Sequence, residues 1–169
     1  QILTYKFVSS LNDVSYSGAY LISKHSVVFV LFFISGFFFY LLSYKLTNNK
    51  LFSLISLSIY FLYPYLFGHA QFNMKDIPFL SVWLISTYFY LTAVEDLFYE
   101  RDVKYGKILL VSLLTSYLIS IRILGVVIFL QYIISLIILF NIKKINLIDF
   151  IKINYKKFFV MVFSVLLLI

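Results

Sequence analysis

Apolar residues fill this chain in runs too long and too sparsely charged for the faces of soluble helices. Residues 26–46 are 21 positions with one charge, Lys45, at the end where a lysine can reach toward water. Residues 51–67 hold no charge, and Asn48-Asn49 between the two runs predicts a tight turn. A third run covers 77–94. The connection from Glu95 to Lys107 follows, with seven acidic or basic side chains in thirteen residues, a density that belongs in water. Residues 108–140 then carry one charge in 33 positions. A single helix of that length would rise about 50 Å, far beyond a hydrocarbon core of roughly 30 Å. The run therefore predicts two helices, 106–121 and 123–140, turning near Ser120-Ile121-Arg122 with Gly125 just beyond. The first is short and would use Lys104 and Lys107 as interfacial anchors. Residues 141–157 read as a basic linker and 158–169 as the start of a sixth span.

Residues 1–24 differ from the rest. Leu3, Phe7, Leu11 and Val14 recur at helical spacing with polar residues between them, which predicts a short amphipathic helix on the membrane surface, ended by Gly18. An ordinary extramembrane loop is the alternative. The fold expected is all-α: a polytopic transmembrane helix bundle over 25–169, with about five full spans and the start of a sixth, preceded by the juxtamembrane segment 1–24.

Composition strengthens this picture. Hydrophobic residues make up 63% of the chain and charged ones 12%, against roughly 45–50% and about 25% in soluble domains. The 20 Phe and 15 Tyr suit a protein with much interfacial surface. No cysteine is present, which excludes disulfides and thiolate metal sites. The net charge of +7 does not point to nucleic acid, because the basic residues fall between apolar runs, where orientation and anionic headgroups account for them. The sequence opens at Gln1 and stops at Ile169 inside an apolar run, and so reads as a fragment of a longer protein, with any signal peptide upstream. Counted by alternate connections, Lys and Arg number ten on one side (45–50, 95–107, 141–157) and four on the other (1–24, the turn around Lys75, Arg122). The positive-inside rule places the first set in the cytoplasm. It leaves 1–24, 68–76 and about 120–124 on the outer face.

One break is richer than turning requires. Between Pro64 and Pro78, the two prolines of the chain, residues 68–76 collect His69, Gln71, Asn73, Lys75 and Asp76. Each has an ordinary explanation: Asp76 as a helix N-cap before Ile77-Pro78, Lys75 as an interfacial anchor, Asn73 as a turn residue, and His69 as a plain loop histidine. Together they put a carboxylate, an ammonium, an imidazole and an amide at one water–lipid boundary. Arg122 is the second signal. An arginine at mid-bilayer costs roughly 2.5–3.5 kcal/mol on insertion scales, so it should face the protein interior or the interface. It either snorkels at a helix turn or offers a guanidinium fork to a phosphate. His25, at the head of the first span, is the third and weakest candidate.

The segment Tyr63-Pro64-Tyr65-Leu66-Phe67-Gly68-His69-Ala70-Gln71-Phe72-Asn73-Met74-Lys75-Asp76-Ile77-Pro78-Phe79 resembles the "P-x-x-F-G-H-x-x-x-N-x-K-D-x-P-F" signature of a bacterial branch of the GT-C membrane glycosyltransferases. These are relatives of the protein O-mannosyltransferases and the lipid A aminoarabinose transferases. Lys24-His25 and Ser120-Ile121-Arg122-Ile123-Leu124-Gly125, the latter resembling that branch's "R-x-x-G" helix start, follow the same order. The likeness covers about residues 20–140. It implies a GT-C-like bundle in a bacterial inner or plasma membrane and an enzyme that moves a sugar from a polyprenyl-phosphate carrier to a hydroxyl of a lipid, glycan or protein on the outer face. By position in the motif, Asp76 would be the acid of the second outer loop. The acid of the first outer loop is expected before residue 1, with Asp13 the alternative, so the fragment should be inactive alone. In the chemistry so implied, Asp76 takes a proton or holds a divalent metal, and His69 shares the catalytic role. Lys75, Asn73, Arg122 and His25 contact substrate, and cationic partners meet the charge gained by the leaving polyprenyl phosphate. A transporter or lipid flippase is the alternative of another class, since broken helices and intramembrane charge occur there too. An assembly subunit in which Lys75, Asp76 and Arg122 form a structural ion-pair network is the third.

Overall fold

The computed structural model describes residue 6 and residues 16–98, 105–143 and 147–168. Every described element is helical, and no strand occurs among the described residues. The helices are α1 (Tyr16–Thr47), α2 (Lys50–Leu62), α3 (Pro64–Phe72), α4 (Asp76–Phe98), α5 (Tyr105–Ile121), a 3-10 turn (Ile123–Val127), α6 (Ile128–Lys143) and α7 (Leu147–Leu168). The fold class is all-α, as the apolar runs predicted. The chain forms two compact units, residues 1–81 and 82–169, with the boundary inside α4.

In the first unit α1 pairs with α2 and α3. One stripe of α1, including Val28, Phe32, Ser35 and Leu42, is buried. Phe32 stacks on Tyr60 of α2 with ring centroids 4.9 Å apart, and the Ser35 and Tyr60 hydroxyls share a hydrogen bond of 2.8 Å. Among lipid-soluble helices such small polar residues permit close approach and add directional contacts that apolar packing lacks. The turn is where the Asn pair predicted it: Asn48 adopts φ 50°, in the left-handed region that Asn tolerates, and Asn49 caps α2 by accepting from the Phe52 N–H at 3.1 Å.

Two expectations in this unit need correction. The segment Leu3 to Val14, read as a surface helix, lies outside the described residues apart from Lys6. Gly18, expected to end it, instead lies within α1, which begins at Tyr16 and makes residues 16–24 continuous with the first span. The run 51–67 is not one straight helix. α2 stops at Leu62, Tyr63 is extended, and α3 restarts at Pro64 with a bend of 55°. Pro64 explains this: it has no N–H to continue the ladder, and its ring drives the preceding residue out of the helical region.

In the second unit α5 packs against α7. Ile108, Val111, Ser112, Thr115 and Leu118 bury one face of α5, and the Ser112 hydroxyl donates to the Met161 carbonyl of α7 at 3.2 Å. Phe98, Phe140 and Phe150 gather from α4, α6 and α7. Lys107 pairs with Asp96, so part of the charged connection is tied down by α4 and α5. The break at Arg122 falls where the 33-residue run required one. The linker predicted over 141–157 is largely helical, because α6 reaches Lys143 and α7 starts at Leu147. The predicted sixth span is therefore the second half of a 22-residue helix whose first half carries Lys152, Lys156 and Lys157. Lysine is a good helix former, so its charge marked a boundary of solvent and not of structure.

Three helical stretches, Gly18–Thr47, Asp76–Phe98 and Ile123–Ile142, are long and apolar enough to cross a bilayer, and the bent pair α2–α3 would make a fourth. Five full spans were expected; α5, at 17 residues, falls short of that length. Ile133, Ile134, Ile137 and Ile138 on α6 are about half exposed, as are Leu54, Ile55 and Ile59 on α2. Such apolar surface suits lipid contact, and the chain is a membrane protein.

Candidate functional site

The polar stretch proves to be mostly helix. Gly68 to Phe72 belong to α3, and only Asn73, Met74 and Lys75 separate it from α4. Asn73 is extended (φ −86°, ψ 101°), and its N–H donates to the His69 carbonyl at 2.8 Å, closing α3. Its side chain then opens α4. The Asn73 Oδ1 accepts from the Lys75 N–H at 3.1 Å and from the Asp76 N–H at 2.8 Å, satisfying two donors that a helix start otherwise leaves without partners. The capping role expected of Asp76 therefore falls to Asn73. Asp76 sits in the first turn of α4, where the helix dipole favours a carboxylate.

The same amide holds the functional groups. Asn73 Nδ2 donates to Asp76 Oδ2 at 2.8 Å and lies 3.1 Å from His69 Nδ1. An amide has two acceptor and two donor sites, and all four are used. His69 is further held by ring contacts to Tyr65 and Phe72, with centroids 4.2 and 5.0 Å away, each one turn distant on α3. His69 and Asn73 are half-buried, while Lys75, Asp76 and Gln71 are exposed. The structure thus brings His69, Asn73 and Asp76 into one hydrogen-bonded set, with Lys75 adjoining through its backbone. One turn before His69, Leu66 lines an apolar groove of about 330 Å³ at the bend, shared with Phe39, Ser56, Ile59, Tyr60 and Tyr63.

The other two candidates lie on other elements. His25 lies on α1 with its Nδ1 buried and without a hydrogen-bond partner, and no ring contact or hydrogen bond joins it to His69, Asn73 or Asp76. Arg122 belongs to the second unit. It is the extended residue (φ −150°, ψ 136°) between α5 and the 3-10 turn, and it is half-buried. Its N–H reaches the Leu118 carbonyl at 3.3 Å and its carbonyl accepts from Gly125 at 2.8 Å. Gly125 is buried on the end of α5, where an added Cβ would lie 2.8 Å from the Leu118 carbonyl oxygen. Spacing Arg122 and Gly125 three apart thus has a structural use: the glycine lets the chain double back and closes the turn that carries the arginine. Among the described residues no three His, Asp or Glu side chains converge as metal ligands.

Reasoning from the sequence missed a buried polar cluster in the second unit. The Tyr132 hydroxyl bonds to Ser86 at 2.7 Å and Thr115 at 3.0 Å, and Tyr90 stacks on Tyr132 while donating to its carbonyl at 2.8 Å. Gln131 accepts from the Trp83 indole and donates to Thr87 at 3.0 Å. A signal was present: Trp83, Ser86, Thr87 and Tyr90 stand at i, i+3, i+4 and i+7, one stripe of a helix otherwise apolar. These hydrogen bonds join α4, α5 and α6. No protein-family model, curated protein or solved structure matches this chain.

Proposed function

We propose that this chain is part of an integral-membrane glycosyltransferase that transfers a sugar from a polyprenyl-phosphate donor to a hydroxyl acceptor at the outer membrane face. The observation that carries the reading is the hydrogen-bonded set of His69, Asn73 and Asp76 inside the segment that resembles the GT-C signature. In such a transfer the acceptor oxygen attacks the anomeric carbon and its proton passes to a carboxylate. The bond from carbon to phosphate oxygen breaks, and the phosphate leaves with the electron pair. Asp76 is the described carboxylate suited to the proton. Its place at the N-terminus of α4 and its bond from Asn73 fix its position before a substrate arrives. Lys75 is the cation proposed for the phosphate at this set, Arg122 is a phosphate-binding candidate by the resemblance alone, and the apolar groove by Leu66 offers room for part of an isoprenoid chain.

The test is Asp76→Asn in the full-length protein. Transfer of labelled sugar from a polyprenyl-phosphate donor should fall at least 100-fold, while expression and thermal stability in detergent stay near those of the parent, because the Asn73 cap remains. Near-normal transfer would remove Asp76 from the chemistry. A transporter or flippase is a second reading, favoured by the 55° break of the α2–α3 span, since broken helices line substrate paths in that class. Lipid or solute flux into proteoliposomes without any sugar transfer would select it.

A further inference from the structure

The saturation of Asn73 determines the state of its neighbour. Backbone N–H groups of Lys75 and Asp76 can donate only to an oxygen, so the atom they meet is Oδ1 and the other terminal atom is the NH2 group. That group only donates. The 3.1 Å contact with His69 Nδ1 therefore needs a lone pair on Nδ1 and places the imidazole proton on Nε2. We infer that Asn73 is a positioning residue, which holds His69 as the neutral Nε2–H tautomer so that it meets a ligand as a hydrogen-bond donor to an oxygen acceptor such as a phosphate. The relevance to sugar transfer rests on the reading above; the tautomer does not.

Three features support a tuned arrangement over a plain cap. A cap needs only Oδ1, yet Nδ2 is also fully used, on the two side chains with acid–base chemistry. Asn73 N–H to the His69 carbonyl ties the same two residues through the backbone. The rings of Tyr65 and Phe72 hold the imidazole on either side in sequence. Nε2 makes no hydrogen bond with another described residue. His69 so arranged does not take a proton on Nδ1 without losing the Asn73 contact, which makes it a donor and leaves proton acceptance to a carboxylate.

The decisive variant is Asn73→Asp. Aspartate keeps both backbone caps but turns the donor facing Nδ1 and Asp76 Oδ2 into an acceptor, so the imidazole proton should move to Nδ1 or a second proton should bind, and Asn73→Ala, which adds no charge beside Asp76, is the control for the new carboxylate. The chain has two histidines, so ¹⁵N-histidine NMR of the full chain in lipid nanodiscs, with His25→Ala to assign signals, reads His69 directly. The expected result at neutral pH is an unprotonated Nδ1 and a protonated Nε2 in the parent, and a protonated Nδ1 in Asn73→Asp. Asn73→Ala should give a mixture of tautomers. A protonated Nδ1 in the parent, or one signature shared by all three proteins, would overturn the assignment. If the NMR result holds but neither variant alters sugar transfer, the tautomer stands and His69 has no part in the transfer; a parent protein that moves no sugar would overturn the glycosyltransferase reading and leave the tautomer standing.

Discussion

Replacing Gly125 with alanine isolates one close approach on which the position of Arg122 depends. No glycine of the described chain has a positive φ, so conformational freedom is not what Gly125 supplies. Space is. An alanine Cβ would lie 2.8 Å from the Leu118 oxygen and 2.9 Å from both Ile119 Cα and Ile119 N. All three are backbone atoms in the last turn of α5 and cannot swing aside as a side-chain tip can. Reaching ordinary contact requires the turn to open by roughly half an ångström or more, which strains the 2.8 Å bond from Gly125 N–H to the Arg122 carbonyl. Overpacking of this kind costs about 1–3 kcal/mol. Gly106 and Gly68 are internal controls, since nothing lies within 4 Å of a Cβ added at either. Alanine there should stabilise its helix by up to about 1 kcal/mol. Trp83 is the single tryptophan and hydrogen-bonds to Gln131, so its fluorescence reports unfolding of the unit that contains Gly125. At roughly 2–4 °C per kcal/mol for a chain of this size, Gly125→Ala should melt several degrees below the parent and Gly106→Ala at or above it. Equal melting of the two variants would refute the steric argument. If Arg122 meets a donor phosphate as proposed, Gly125→Ala should also weaken donor binding, because Arg122 shifts with its turn.

Two further outcomes follow from the same geometry. Tyr132→Phe removes one hydroxyl and with it the bonds to Ser86 and Thr115; at about 0.6 kcal/mol per interhelical bond in lipid, with a ceiling near 1.7, the loss should be about 1–2 kcal/mol by SDS-titration unfolding, and a change under a few tenths would show that the cluster does not join the helices. Arg122→Lys keeps the charge but not the planar fork, so binding of a polyprenyl-phosphate donor should weaken several-fold by isothermal titration; unchanged affinity would leave Arg122 as an interfacial anchor.

Much of the architecture was legible before any coordinates. A run of 33 residues with one charge could not be a single helix within a bilayer, and the chain does break at Arg122. Asn48-Asn49 announced its turn, and Pro64 should have announced a second break, since its missing N–H acts wherever it stands. Hydropathy and backbone chemistry are properties of single residues and add along the chain, so they can be read one position at a time. Pairing cannot. Charge at Lys152, Lys156 and Lys157 said that these side chains seek water and was silent on whether their backbone is helical, which it is. The stretch between Pro64 and Pro78 shows the difference most clearly. Its residue types and their collection at one boundary were evident, but Asp76 had the composition and position of a cap while Asn73 had the geometry of one. Only the folded chain, with Asn73 extended at the junction of α3 and α4, brings one amide within reach of two backbone donors, a carboxylate and an imidazole. The choice between two side chains able to cap the same helix turns on which of them has extended backbone just before it, and that is set by the fold around the junction.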